Sequence, residues 1–202
     1  MKSSNLILSH RHGDGRPNSL DNEDEVIEEI LKYYNTDTIE VPVERNWFDF
    51  AIHSGDEFMP VNIKVTTMTT CDNVNSKSGL VYALSGDRDL AERCHTWPQT
   101  IEALHEAREN ITEDGKDADY WCLVVNKNDT SDVYATSLKQ LKELTANGNN
   151  LPFQSHWGKN KEKVERSYDE AFSFLCGVLA ESLKKKAQAN DIMKEMFGEF
   201  YR

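Results

Sequence analysis

Apolar residues along this chain recur at two spacings, every second position in some stretches and every third or fourth in others. The switches between the two mark out its elements. In Asp21–Tyr34 the positions Val26, Ile27, Ile30, Leu31 and Tyr34 predict a helix, with acids crowding its start and Lys32 near its end, as a helix dipole prefers. Thr38–Val43 reads as a strand, with Pro42 pointing to an edge or a strand end. Two alternating runs follow, Phe48–Ile52 and Pro60–Thr66, separated by a polar break containing Gly55, the pattern of a β-hairpin. Leu80–Leu84 is an apolar run behind a polar stretch. Thr96 is placed to cap a helix over Trp97–Asn110, with Pro98 in the first turn and Ile101 and Leu104 inward. Asp119–Val125 predicts a buried central strand and Val133–Thr136 a short returning one. Leu138, Leu141 and Leu144 predict a helix over Ser137–Thr145. Ala146–Asn160 reads as a long loop pinned by Leu151, Phe153 and Trp157. Lys161–Lys186 predicts a long helix and Asp191–Phe200 a short amphipathic one, while residues 1–20, rich in turn formers, read as a flexible arm.

The hairpin carries the most chemistry. Side chains alternate between the two faces of a strand, so Phe48, Phe50 and Ile52 share one face, as do Val61, Ile63 and Val65. If both apolar faces enter one core, Asp49, Asn62 and Lys64 emerge together on adjacent strands.

At 202 residues the chain is one domain with a helical C-terminal part over residues 161–202, long enough to bury a core. Strands interleaved with helices predict an α/β fold. The net charge of -12 counts against nucleic acid as a partner, since phosphate contacts need Lys and Arg. A dimer that lines one cleft with cations escapes that objection, and the basic clusters are Arg11, His12 and Arg16, and Lys159, Lys161 and Lys163. The four cysteines are scattered with no CxxC, which fits a reduced, cytoplasmic protein. No run resembles a signal peptide or approaches the length of a membrane span. No GxxxxGK[ST], GxGxxG or GxSxG occurs, so a nucleotide cofactor is unsupported, and the Cys and His spacings do not suit zinc.

Asp49, followed across the turn by Asn62-Ile63-Lys64 and by Val65-Thr66-Thr67, resembles the nuclease core of the PD-(D/E)xK superfamily, most closely its EcoRV-like type II restriction endonucleases. Phe48 stands where the family has Pro, and Asn62 where it has the acid of the acid-x-Lys half. The resemblance implies a mixed central β-sheet flanked by helices. It implies Mg²⁺-dependent hydrolysis of double-stranded DNA at a short specific sequence, by a homodimer in a prokaryotic cytoplasm. Asp49 would hold the metal, Asn62 would be a neutral oxygen ligand or position a water, and Lys64 would orient and activate the attacking water. A helix acid, Glu25 or Glu28 with Asp24 as a further candidate, would restore negative charge. DNA contacts fall to Thr66, Thr67, Asn73, Asn75, Ser76 and Lys77 beyond the lysine strand, and to Asn149, Asn150, Gln154 and His156 in the long loop. Amide side chains there can read adenine edges. Two alternatives stand beside this: a nuclease of repair or transposition, and an inactive nuclease fold that binds DNA or protein, which Asn62 favours.

Overall fold

The computed structural model describes residues 6, 8, 15–34, 37–43, 46–74, 76–150 and 152–198, with side chains of the first helix from residue 21 onward. In chain order its first half holds α1 (Gly15–Leu31), β1 (Ile39–Glu40), β2 (Phe50–Ser54), β3 (Glu57–Thr66), β4 (Cys71–Val74), α2 (Lys77–Ser85), α3 (Arg88–Glu92) and α4 (Trp97–Asn110). The second half holds α5 (Glu113–Asp117), β5 (Trp121–Asn126), β6 (Val133–Ser137), β7 (Thr145–Ala146), β8 (Phe153–His156) and α6 (Tyr168–Met196).

The expected α/β architecture is present. A five-stranded sheet runs β1-β2-β3-β5-β6, antiparallel except where β5 lies parallel to β3. That parallel step needs a crossover, and α2 to α5 supply it. On one face of the sheet Val26 and Ile30 of α1 pack with Ile39, Phe50, Val61, Ile63 and Val125. On the other, Ala51, Cys122 and Val124 meet α2, α4 and α6 through residues such as Leu80, Leu84, Leu104 and Leu175. α2 is buried from Ser78 to Leu84, which is why its run of apolar residues shows no amphipathic period. It is stopped by Gly86, whose φ of 69° favours glycine and whose N–H closes back on the Tyr82 carbonyl. The Thr96 cap forms as expected, with Gln99 completing a capping box.

Several expectations need correcting. α1 starts at Gly15, and Leu6 is buried against it, so the arm expected over residues 1–20 is helical in part and docked in part. Only Ile39–Glu40 of the Thr38–Val43 segment pairs as a strand. Phe48 and Phe50 do not share a face: Phe48 enters the helix-covered core and Phe50 the α1 core, with Ala51 facing the former. Phe48 and Asp49 lie in a bend before β2, where strict alternation does not yet apply. Ile101 is 46% exposed, and Thr100, Ala103, Leu104 and Ala107 make the inner face of α4.

The helix expected over Ser137–Thr145 is absent. Its carbonyls are taken from outside: Arg166 donates to the oxygens of Lys139 and Leu141, and Asn160 both donates to the Glu143 oxygen and accepts from its N–H. Leu138 and Leu141 are buried all the same. The expected long loop instead contributes β7 and β8, which with β4 form a second, three-stranded antiparallel sheet. α6 starts at Tyr168 rather than Lys161, because Ser167 and Glu170 form its capping box while Lys161 pairs with Asp132. It then runs unbroken to Met196, absorbing the short piece expected after Asp191.

Candidate active site

The hairpin register places Phe50 opposite Val61 and continues outward through the Asp49 N–H, which donates to the Val61 carbonyl at 2.9 Å. This sets the Asp49 carboxylate over β3. Its Oδ2 accepts from the Ile63 N–H at 2.5 Å and from Asn62 Nδ2 at 2.8 Å. Asn62 and Lys64 project from the face of β3 opposite Val61 and Ile63, in register with Cys122 and Val124 of β5. Burial pushes the Cys122 thiol up to about 12, with the Lys64 charge drawing it down and the Asp119 and Asp49 charges adding to the rise. The bond from the Asn62 amide to Asp49 sets that carboxylate on the same side of the sheet as Lys64.

Asn62 and Lys64 line a cavity of about 440 Å³. Asn73, Ser76 and Lys77 line it too, so five of the residues expected at the site converge there. Ser76 is occupied as the cap of α2, accepting from the Gly79 N–H and donating to the Trp47 carbonyl. Lys77 holds its ammonium 5.3 Å from the centre of the Trp97 ring. Asn73 Oδ1 accepts from Asn147 Nδ2 at 2.9 Å and from Gln154 Nε2 at 3.4 Å, which ties the second sheet to the cavity wall.

Other expected residues are placed elsewhere. Thr66 is 4% exposed and accepts from the Met68 N–H, so it is not a surface contact. Thr67 shares hydroxyl hydrogen bonds with Thr69 and Thr70. The backbone N–H groups of Asn149 and Asn150 are gathered by Asn147 Oδ1, leaving both side chains at the surface. His156 is half-buried. Asn75 lies outside the described residues. Glu25 and Glu28, like Asp24, are on α1, which packs on the sheet face opposite Asn62 and Lys64. They do not line the cavity. Among the described residues no group of three or more His, Cys, Asp or Glu is arranged to hold a metal.

Sequence patterning gave no sign of Asn46, Trp47, His95 and Tyr120, which also line the cavity. His95 lies in the short link between α3 and α4. Tyr120 donates to the Trp47 carbonyl at 2.7 Å and packs so close to Gly79 that a Cβ there would meet its ring at 2.8 Å.

The Asp49–Asn62 contact makes one substitution informative. In Asn62→Asp a second carboxylate would replace the donating amide, and like charges so close retain a proton between them. The metal-free variant is expected to melt below the wild type at neutral pH, with the deficit shrinking as pH falls or as Mg²⁺ is added. An unchanged melting temperature across pH would mean that the amide does not bond Asp49.

A larger cavity of about 810 Å³ is lined by Asp56, Glu57, Asp87, Glu106, Asp114, Asp117 and Asp119 with Arg88. Burial raises the Asp119 carboxyl to about 6, against the pull of the Lys139 ammonium. Folding thus favours its protonated form over the unfolded chain, where the ordinary value is 3.8. Its contribution to stability is full below about pH 4 and is lost as pH rises through about 6. Asp119→Asn keeps the Oδ1 that accepts from the Tyr120 and Lys139 N–H groups. It is therefore expected to raise the melting temperature at pH 7 and to leave it unchanged below pH 4, as scanning calorimetry across pH would read.

No protein-family model matches the chain, and no curated protein matches it.

Proposed function

We propose that the chain is a Mg²⁺-dependent endonuclease that cuts double-stranded DNA at a short specific sequence, with Asp49, Asn62 and Lys64 as its active site. The observation that supports this furthest is the hydrogen bond of Asn62 to Asp49, which joins the two halves of the motif across 13 positions of sequence. Lys64 stands on the same face of β3 and opens into the same cavity as Asn62.

The donors suit the ion. Mg²⁺ takes oxygen ligands, keeps several waters and is usually held by one or two carboxylates together with substrate phosphate. Asp49 offers one carboxylate and Asn62 an amide oxygen. When bound, the ion supplies Lewis acidity and a more acidic water. The chain's own residues orient and stabilise: the Ile63 N–H fixes the Asp49 carboxylate, and the Lys64 ammonium balances charge that develops on the phosphate.

The chain would act as a homodimer, because a symmetric target calls for two sites related by a two-fold axis. The buried stripe of α6, Leu175, Leu179 and Ser182, runs on into exposed Met193 and Met196, with Ile192 beside them. That surface is the candidate contact, and light scattering would report the dimer.

The second reading, an inactive nuclease fold that serves as a binding module, is favoured by Asn62, which leaves Asp49 as the one carboxylate among the three proposed active-site residues. Incubating the chain with a long, sequence-diverse duplex and Mg²⁺ or Mn²⁺ separates the possibilities. Discrete fragments support a site-specific enzyme, a smear or structure-dependent nicks a nuclease of another kind, and intact DNA the binding module.

A further inference from the structure

We propose that the 440 Å³ cavity beside Lys64 is a binding site for a phosphate group, gripped by Lys77, His95 and the amino end of α2. Charge is the first reason. In a chain of net charge -12 the larger cavity gathers acids, yet Lys64, Lys77 and His95 line this one, and no Asp or Glu does among the described residues. Such segregation concentrates anions locally against the overall field.

The second reason is the donor set. α2 is nine residues long, and Lys77 and Ser78 of its first turn line the cavity. Of the first N–H groups of α2, Ser76 takes up that of Gly79 with its side chain and that of Leu80 with its carbonyl. The N–H groups of Lys77 and Ser78 are therefore the first-turn donors left to face an anion, at the positive end of the helix dipole. Asn46 and Ser78 add neutral donors on the same wall. A phosphate carries more charge and more acceptor oxygens than a carboxylate, and so makes use of several cations at once. The volume lies in the range of ligand pockets and leaves room for whatever the phosphate is attached to.

The phosphate has two possible sources, a DNA backbone or a small phosphate ester. Only the first rests on the nuclease reading. Lys77 and His95 both reach solvent, so their substitution leaves the core alone.

The test uses the full chain without divalent metal. Its amide spectrum is followed as inorganic phosphate is added, and then as a short DNA duplex is added to the phosphate-loaded protein. The Lys77, Ser78 and His95 signals are expected to move with phosphate. Lys77→Gln and His95→Gln should each weaken binding about tenfold or more, the weight of a hydrogen bond to a charged group, while Lys142→Gln, on the exposed Glu162 pair, should not. Displacement of phosphate by duplex would assign the site to a strand phosphate, and no displacement to a small ester. Absent shifts at these amides, or unchanged affinity in both variants, overturns the proposal. A chain that cuts DNA yet ignores phosphate overturns this site alone; one that binds phosphate yet leaves DNA intact overturns the nuclease reading alone.

Discussion

Lys64→Ala is expected to slow Mg²⁺-dependent DNA cleavage by at least about 10²–10³-fold, the usual weight of an electrostatic group aimed at the reacting centre. The melting temperature should hardly change. Val61 and Ile63 point into the core under α1, whereas Lys64 is half-buried and lines the cavity on the other face. Asp49 must be probed differently. Asp49→Ala would strip the acceptor from the Ile63 N–H and from the Asn62 amide, and an orphaned buried donor costs about 1–3 kcal/mol. Asp49→Asn keeps an oxygen for the Ile63 N–H while removing the charge and turning the second oxygen into an amide donor. It should abolish cutting to a similar degree with the fold retained. Near-normal cutting by Lys64→Ala would place the chemistry elsewhere in the chain.

Asn160→Ala is expected to cause the largest loss of stability among single polar substitutions. The side chain is fully buried: its Oδ1 accepts from the Glu143 N–H, and its two amide hydrogens are shared among three acceptors, Glu143 O, Ser155 Oγ and His156 O. Alanine leaves two or three of these partners buried and unpaired, at about 1–3 kcal/mol each. A loss of about 3 kcal/mol lowers the melting temperature by roughly 6–12 °C in a domain this size. Chemical denaturation would read it directly. A loss below about 1 kcal/mol would mean that water or a shifted backbone replaces these bonds.

The same residue explains where sequence patterning reached its limit. Leu138, Leu141 and Leu144 have helical spacing, but Asn160 and Arg166, from beyond β8, claim the carbonyls a helix would need. Nothing local in residues 137–145 announces that. β8 is hidden for a similar reason, since its partner β4 lies about eighty positions earlier and Gln154 pairs with Asn73. Elements whose signals are local were legible. The hairpin shows in its alternation and in Gly55, at φ 63°. α4 shows at its start, in the Thr96 cap and in Pro98 of the first turn. The candidate site divides along the same line. Asp49, Asn62 and Lys64 are joined by strand geometry, which a sequence displays. His95, Trp47 and Tyr120 reach the cavity through the packing of α2, α4 and β5, which it does not.

Whether DNA is cut depends on the target sequence being present, whereas the place where metal settles does not. The most direct measurement is therefore a titration of the full chain with Mn²⁺ in the presence of a short duplex, following paramagnetic broadening of backbone amide signals. The hairpin account predicts that Asp49, Asn62 and Ile63 broaden before all other residues. Broadening confined to the acidic cavity around Asp87, Asp114 and Asp117, with the hairpin signals left sharp, would contradict it.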